Sequence, residues 1–294
     1  MIILEINNTS IKIPSTIDEV SLSMGVELIH FVTSKTPSYN EKISILSTLS
    51  NLDISILLRI SEKDINKIYD NIQFLKLEDA PVTIYKSFYL DKTLYGMLDL
   101  KKMTVNDYAN IDFYLSESEY PLEHLDKIIS VLYRKITHKK QSVRNILINK
   151  ANKLFFKNLI PAFFKEYEIE EYKEDSLDYK IFAKKLSLGF AIGVYHMLME
   201  EREKIINEFP LIFKNMEIPE EDKDQYDDID ITPINKSFEQ TWGMLHIIST
   251  LSSDLFERTE WLKRPIRELF TYFSYYNAKI LRDNEIIRQQ NKMQ

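Results

Sequence analysis

Apolar residues in the first half of the chain recur in a pattern that is written twice. The first copy opens with Ile2, Ile3, Leu4 and Ile6, then Ile11 and Ile13, flanking Asn7-Asn8-Thr9-Ser10. Asparagines tolerate positive φ, so this reads as two short strands joined by a turn. Pro14 closes the second strand. Ser21 then stands as the N-cap of an apolar-periodic stretch from Leu22 to Phe31, with Met24, Leu28 and Phe31 on one side. A second stripe, Ile43, Leu46 and Leu49, predicts another helix over 41–49. Ser61 to Asp64 has capping-box character for a helix carrying Ile65, Ile68, Tyr69, Ile72 and Leu75. Asp79-Ala80-Pro81 separates the copies.

In the second copy, strand-like Val82 to Leu90 and Leu94 to Leu98 flank Asp91-Lys92-Thr93. Thr104 takes the N-cap place of Ser21 before a helical stretch to Leu115, and a further helix is predicted from Leu122 to Tyr133. The unit is hairpin, capped helix, helix. An isolated hairpin is marginal in water, so the two hairpins are expected to share one small sheet. Beyond it the pattern turns almost wholly helical. Stretches run from Val143 to Phe156, broken by Leu159-Ile160-Pro161, and from Tyr179 to Phe209. The longer one carries Phe182, Leu186, Phe190, Val194 and Leu198 as its stripe, and Gly189 and Gly193 read as a face that another core helix approaches closely. Further stretches run from Phe238 to Leu251 and from Pro265 onward, where Ile266, Leu269, Phe270, Phe273 and Ile280 line one side. Pro265 suits a helix start, where its missing N–H is harmless. The polar tail after Asn284 is expected to fray unless a partner holds it. The expected class is therefore α+β, mainly α-helical. Residues 1–80 form the first copy, 81–140 the second, and 141–294 a helical domain with an acidic loop at 217–233.

Composition changes this picture little. The chain has 294 residues, 44% hydrophobic and 12% aromatic, which suffices for a real core. Cysteine is absent, which removes disulfides and thiolate chemistry. No signal-peptide pattern opens the chain and no apolar run is long enough for a bilayer, so a soluble intracellular protein is expected. The five histidines contain no pair three or four apart, so no helical metal site is expected. Asp222 to Pro233 imitates an EF-hand loop but puts Tyr226 at position 5, Asp227 where glycine is required and Pro233 where the bidentate glutamate belongs. No phosphate-binding loop, dinucleotide fingerprint or nucleophile elbow is present. No catalytic residue and no cofactor is assigned.

Charge is unevenly distributed on a chain of formal net charge −7. No acid occurs between Asp126 and Glu166, a gap that includes Lys127, Arg134, Lys135, Lys139, Lys140, Arg144 and Lys165. Glu166, Glu168, Glu170, Glu171, Glu174, Asp175 and Asp178 follow at once. Either these blocks are solvated faces that neutralise each other, or the basic one docks an acidic partner or nucleic acid. Near the C-terminus Tyr272, Tyr275 and Tyr276 lie close to Arg264, Arg267 and Lys279, and Trp261 just before them. Such a helix packs with one face and meets a partner with the other, although aromatic and basic residues also stack nucleic-acid bases. The candidate interface residues are Arg134, Lys135, Lys139, Lys140, Arg144, Trp261, Tyr272, Tyr275 and Tyr276.

Five stretches in this order resemble the tail-assembly-chaperone-like proteins of tailed phages infecting Bacteroidetes. They are Ile17-Asp18-Glu19-Val20-Ser21-Leu22; Ile43-Ser44-Ile45-Leu46 with Asp64 to Tyr69 and Phe74-Leu75; Leu100 to Val105 with Tyr108, Ile111, Asp112 and Val131 to Lys135; Gly189 to Tyr195; and Trp242-Gly243 with Asp254 to Tyr275. The chain departs from the family where Lys135-Ile136 follows the Tyr-Arg pair and where Tyr195-His196 replaces a paired aromatic. The resemblance implies virion morphogenesis by protein–protein binding, without catalysis. Tail or capsid structural proteins are the implied partners, with self-association also open. It implies work in the host cytoplasm during phage assembly. Two alternatives are carried alongside: a tail, connector or cargo component retained in the virion, and a nucleic-acid-binding module using residues 127–165. No membrane partner is expected.

Overall fold

The computed structural model describes residues 2–6, 9–32, 37–72, 84–117, 120–155, 159–173, 176, 178–213, 244 and 247–292. The acidic loop 217–233, most of the stretch 238–251, and Leu75 lie outside these residues. The described chain is mostly helical with antiparallel β-structure, the α+β class expected.

Strands β1 (Ile2–Ile6) and β2 (Thr9–Ile13) form a two-stranded sheet of their own, with Ile2 opposite Ile13. The second hairpin, β3 (Ser87–Leu90) and β4 (Thr93–Met97), lies in a five-stranded sheet of order β6-β3-β4-β5-β7. The two hairpins therefore do not share a sheet. The first buries Ile11 and Ile13 completely beneath α2 (Tyr39–Ser50), and so needs no further strands. The second recruits β5 (Tyr133–Lys140), β6 (Leu159–Pro161) and β7 (Glu166–Ile169), all antiparallel. The region after residue 133 is thus not wholly helical. The helix before it, α6 (Leu125–Leu132), runs directly into β5, and Leu159-Ile160-Pro161 is an edge strand rather than a simple break. The β3–β4 turn is the two-residue kind. Asp91 and Lys92 have φ of 46° and 69°, the left-handed pair that matches strand twist.

Two compact units are formed by residues 1–98 with 113–198, and by residues 99–112 with 199–294. The first unit draws on all three sequence segments, the second on 81–140 and 141–294.

In the first unit, one face of the larger sheet is aromatic. Phe88, Tyr95 and Tyr133 are fully buried or nearly so and meet Phe182 of α8 (Asp178–Lys185) and Phe190 of α9 (Leu188–Glu208). Ring centroids lie 5.2 Å apart for Phe88–Tyr133, 5.6 Å for Phe88–Phe190 and 5.0 Å for Tyr95–Phe182. Such tilted and edge-on pairs add to burial. Helix α1 (Leu22–Val32) packs on α8 and α6. Helices α3 (Ile54–Leu57) and α4 (Glu62–Asp70) pack on α2, and Ser61 caps α4 by accepting from Asp64 N, as its sequence predicts.

The long stretch expected from 179 to 209 is two helices. The break falls at Leu186-Ser187, where Ser187 Oγ accepts from Phe190 N at 3.2 Å and starts α9 afresh. There the chain makes a backbone bridge to the start of α1. Leu22 N donates to Leu186 O at 2.9 Å and Leu188 N to Val20 O at 2.8 Å. Helix starts leave amides without intrahelical partners; here two starts satisfy each other. Gly25 permits the approach, since a Cβ there would fall 2.5 Å from Leu188 Cδ1. Gly189 meets no core helix. Its missing side chain makes room for Ile17 and the Asp18 carboxylate, in the short 3₁₀ turn before α1.

The second unit repeats this device. Helices α5 (Val105–Ser116) and α12 (Ile266–Lys292) start side by side: Val105 N donates to Arg264 O, and Ile266 N to Met103 O, both at 2.9 Å. Thr104 and Asp107 form a reciprocal cap at 3.1 Å in each direction. Pro265 lacks an N–H and needs none at this bridge. Phe270 is the centre of the core, against Tyr108, Phe209 and Phe213 of the short helix α10 (Pro210–Phe213). Helix α11 (Leu255–Lys263) is capped by Asp254. Helix α12 extends past Asn284 to Lys292.

Candidate interaction surfaces

The acid-free basic stretch and the acidic run behind it are neighbouring strands. In the β5–β7 ladder Lys140 faces Glu166 and His138 faces Glu168. Lys140 Nζ lies 3.0 Å from Glu166 Oε2, and His138 Nδ1 lies 3.3 Å from Glu168 Oε2. The ion pair holds the Glu166 carboxyl below its ordinary range and raises Lys140. Lys135 reaches Asp178 at 3.2 Å and Glu170 at 3.9 Å. On β5 the geometry provides the mutual neutralisation of the charge blocks; Arg144 and Lys150 of the same basic stretch take no part in these pairs.

Arg134 is buried. Its Nε donates to Val131 O at 2.9 Å, and its guanidinium lies over the Tyr172 ring at 5.7 Å. It ties the start of the interior strand β5 to the end of α6 rather than facing solvent. Lys139 is exposed, with its ammonium 5.6 Å from the Phe164 ring centroid. Arg144 is exposed at the start of helix α7 (Val143–Phe155). These strands escape sequence reasoning because β5 does not alternate apolar with polar and β7, Glu166-Tyr167-Glu168-Ile169, alternates over only four residues. The signal that finds them is the charge complementarity of two adjacent runs.

Of the C-terminal candidates, Trp261 is buried. Tyr272 meets it edge-on at 5.5 Å and Arg264 stacks on it at 4.7 Å. Tyr272, Tyr275 and Tyr276 are exposed, Tyr275 by 69%. Along α12, Ile266, Phe273, Ile280 and Ile287 follow a seven-residue repeat, with Leu269 and Tyr276 at the intervening seam positions. Ile266 and Leu269 are buried in the second unit, whereas Ile280, Ile286 and Ile287 are exposed. The apolar seam thus continues past the packing it has within the chain.

Sequence reasoning missed the polar network behind this helix. Arg267 donates through Nε to Glu208 at 2.7 Å and through Nη2 to Glu201 at 2.8 Å. Arg202 pairs with Asp112 at 2.6 Å, beside the buried Tyr108, whose hydroxyl is pushed up by burial. Nothing in local spacing announces these pairs, because their members are far apart in sequence. The hydrogen bond from Arg267 holds Glu208 below the ordinary carboxylate value. A depressed folded-state pKa gives stability that is fully present above the unfolded value of about 4.3 and is lost as pH falls through the folded value. Glu208→Gln is therefore expected to flatten the acid-side loss of stability below about pH 4.3. The effect stays under about 1 kcal/mol because the group is half-exposed and screened. Urea midpoints measured from about pH 6 down to the acid limit check this; parallel curves for both proteins refute it.

Among the described residues no group of three histidine or acidic side chains is placed to hold a metal ion. The EF-hand-like stretch lies outside them. Among the same residues no helix is long and apolar enough to cross a membrane. Comparison with protein-family models, with curated proteins and with solved structures finds no match.

Proposed function

We propose that the chain is a virion-assembly protein of a tailed phage, which binds a tail or capsid structural subunit and makes or breaks no bond. The observation that carries the reading is the exposed continuation of the α12 seam at Tyr276, Ile280 and Ile287, with Tyr272 and Tyr275 also open to solvent on the same helix. Tyrosines combine large apolar area with a polar tip and serve as anchors where a partner covers them. The resemblance in the five sequence stretches supplies the phage context. Work in the host cytoplasm during assembly follows from it.

The finer reading of the fold belongs to the same proposal. Ser21 and Thr104 each begin a helix that starts beside a later one, at Ser187 and at Pro265. Such a repeated device supports descent from one duplicated unit of hairpin, capped helix and helix. Nucleic-acid binding through 127–165 is less favoured, since Lys135 and Lys140 are engaged by acids in the fold.

Quantitative mass spectrometry of purified phage particles, against the major capsid protein, tests the reading. Abundance in infected-cell lysate with absence from mature particles is expected for a transient assembly factor. Stoichiometric presence in particles instead supports a retained tail, connector or cargo component. Conversion of Tyr272, Tyr275 and Tyr276 to serine is expected to abolish capture of phage structural proteins while leaving the circular dichroism spectrum unchanged. Undiminished capture refutes the assignment of α12 as the contact.

A further inference from the structure

Helix α7 carries its polarity reversed. The side it turns to the protein is polar: Asn149 is buried, its amide donating to Phe163 O at 3.0 Å while its Oδ1 accepts from Phe163 N at 2.8 Å. Asn152 donates to Pro161 O at 2.8 Å. Asn152 thus covers the end of β6, the edge strand of the sheet, and Asn149 clamps the chain just beyond it. The other side is apolar and exposed, by 77% at Val143, 63% at Leu147 and 85% at Leu154, with Ile146 alongside. Positions 143, 147, 150 and 154 follow helical spacing, so these side chains form one stripe. A helix that docks by asparagines and shows its leucines to water is the reverse of the usual arrangement, and the leucines contribute little to this fold.

We propose that this stripe is a docking site for an acidic amphipathic segment of a partner protein. Charge selects the occupant. Helix α7 contains Arg144, Lys150 and Lys153 and no acid. Lys150 lies within the stripe and Arg144 beside it, both exposed, and among the described residues neither has an ion-pair partner. Lys153 stacks on Tyr89, 4.5 Å from the ring centroid. Carboxylates on an incoming helix meet these cations while its apolar side chains cover Leu147 and Leu154. A second copy of the same face would bring like charges together. An anionic lipid surface is disfavoured by the chain's net charge of −7 and by a lysine within so short a stripe. The asparagine clamp fixes the helix in advance, so docking orders only the partner. This surface lies in the first unit, on residues the α12 reading does not use, and stands or falls separately from it.

A display library of random peptides selected on the full-length chain tests the proposal. Selected peptides are expected to be rich in Asp and Glu, with Leu or Ile at helical spacing. Their affinity is expected to fall about tenfold or more, 1.4 kcal/mol or above, in L147Q/L154Q and in K150E. Both variants change exposed side chains, and unaltered melting curves verify that they fold. Selected peptides without acids, or binding equal in the wild type and both variants, overturn it. Binding to phosphatidylglycerol vesicles without peptide selection assigns the face to a membrane instead. A dimer in sedimentation that L147Q/L154Q dissociates assigns it to a second copy. Either result also overturns the proposal.

Discussion

Replacing Phe88 with alanine is expected to destabilise the first unit by about 3–5 kcal/mol, a large share of the stability of an ordinary domain. Phe88 sits on β3, next to the centre of the larger sheet, with no exposed surface. Its ring touches aromatic neighbours from both layers: Tyr95 at 5.8 Å and Tyr133 at 5.2 Å in the sheet, Phe190 at 5.6 Å and Phe182 at 6.4 Å on the helices. Two losses add. The apolar area returns to water, and the two tyrosine neighbours cannot collapse into the hole because each is already anchored. Tyr133 donates to Tyr85 O at 2.9 Å and Tyr95 to Asp178 at 3.2 Å. Burial, helped by Asp178, pushes the Tyr95 hydroxyl well up and keeps it a donor across the working pH range. Phe88→Leu keeps most of the volume and is expected to lose less than half as much. Urea unfolding followed by near-ultraviolet circular dichroism measures both. A loss below about 1 kcal/mol for the alanine variant would show that Phe88 does not organise this layer.

Which parts of this fold were legible in the sequence follows from whether the relevant interaction is local. The β3–β4 hairpin was legible because Asp91 and Lys92 stand between two apolar runs. The starts at Ser21, Ser61 and Thr104 were legible because a cap reads only the next few residues. The α8–α9 break was not, since the apolar period runs unbroken from Phe182 through Phe190 and Ser187 looks like one tolerated polar residue. Its reason is non-local, the bridge to Ser21. Strands β5 and β7 were hidden for the same reason: their pairing is non-local, and β5 carries charges matched to those of β7 in place of apolar alternation. The candidate surface shows the same divide. Tyr272 and Tyr275 are exposed off the seam of α12, whereas Tyr276 shares the phase of Leu269 and is exposed because the packing that covers Leu269 does not reach it. Arg134 and Trp261 are buried because residues remote from them, Glu170 with Tyr172 and Tyr272, close over them. The reversed face of α7 escaped notice because its periodicity is ordinary. Only the edge strand beneath it decides which side is inside.

Gly96 gives a prediction whose sign distinguishes local propensity from packing. In the interior of a strand, Gly→Ala ordinarily stabilises by about 0.5–1 kcal/mol through lost backbone freedom in the unfolded chain. At Gly96 the same change is expected to destabilise by about 2 kcal/mol. The glycine pairs with Arg134 on β5, and Tyr167 of β7 reaches across to lie on it. A Cβ would fall 2.6 Å from Tyr167 Cε2 and 2.9 Å from both Tyr167 Cδ2 and Ile136 Cγ1. The ring has no easy retreat, because its hydroxyl is held 2.9 Å from Lys86 O and 2.8 Å from Met97 O. Relief of the clash thus requires those bonds to lengthen or β7 to shift, and β7 carries the acids that neutralise β5. In a Tyr167→Leu background the pinned ring is removed and only the Ile136 side chain must give way, so Gly96→Ala is expected to cost less than half as much. The cycle of two single variants and the double variant, measured by urea midpoints, isolates that coupling. Additive effects, or a stabilising Gly96→Ala in the wild-type background, would refute the account. They would mean that β7 is not pinned over β4 by its tyrosine, and that the charge-paired edge of the sheet is held by its ion pairs alone.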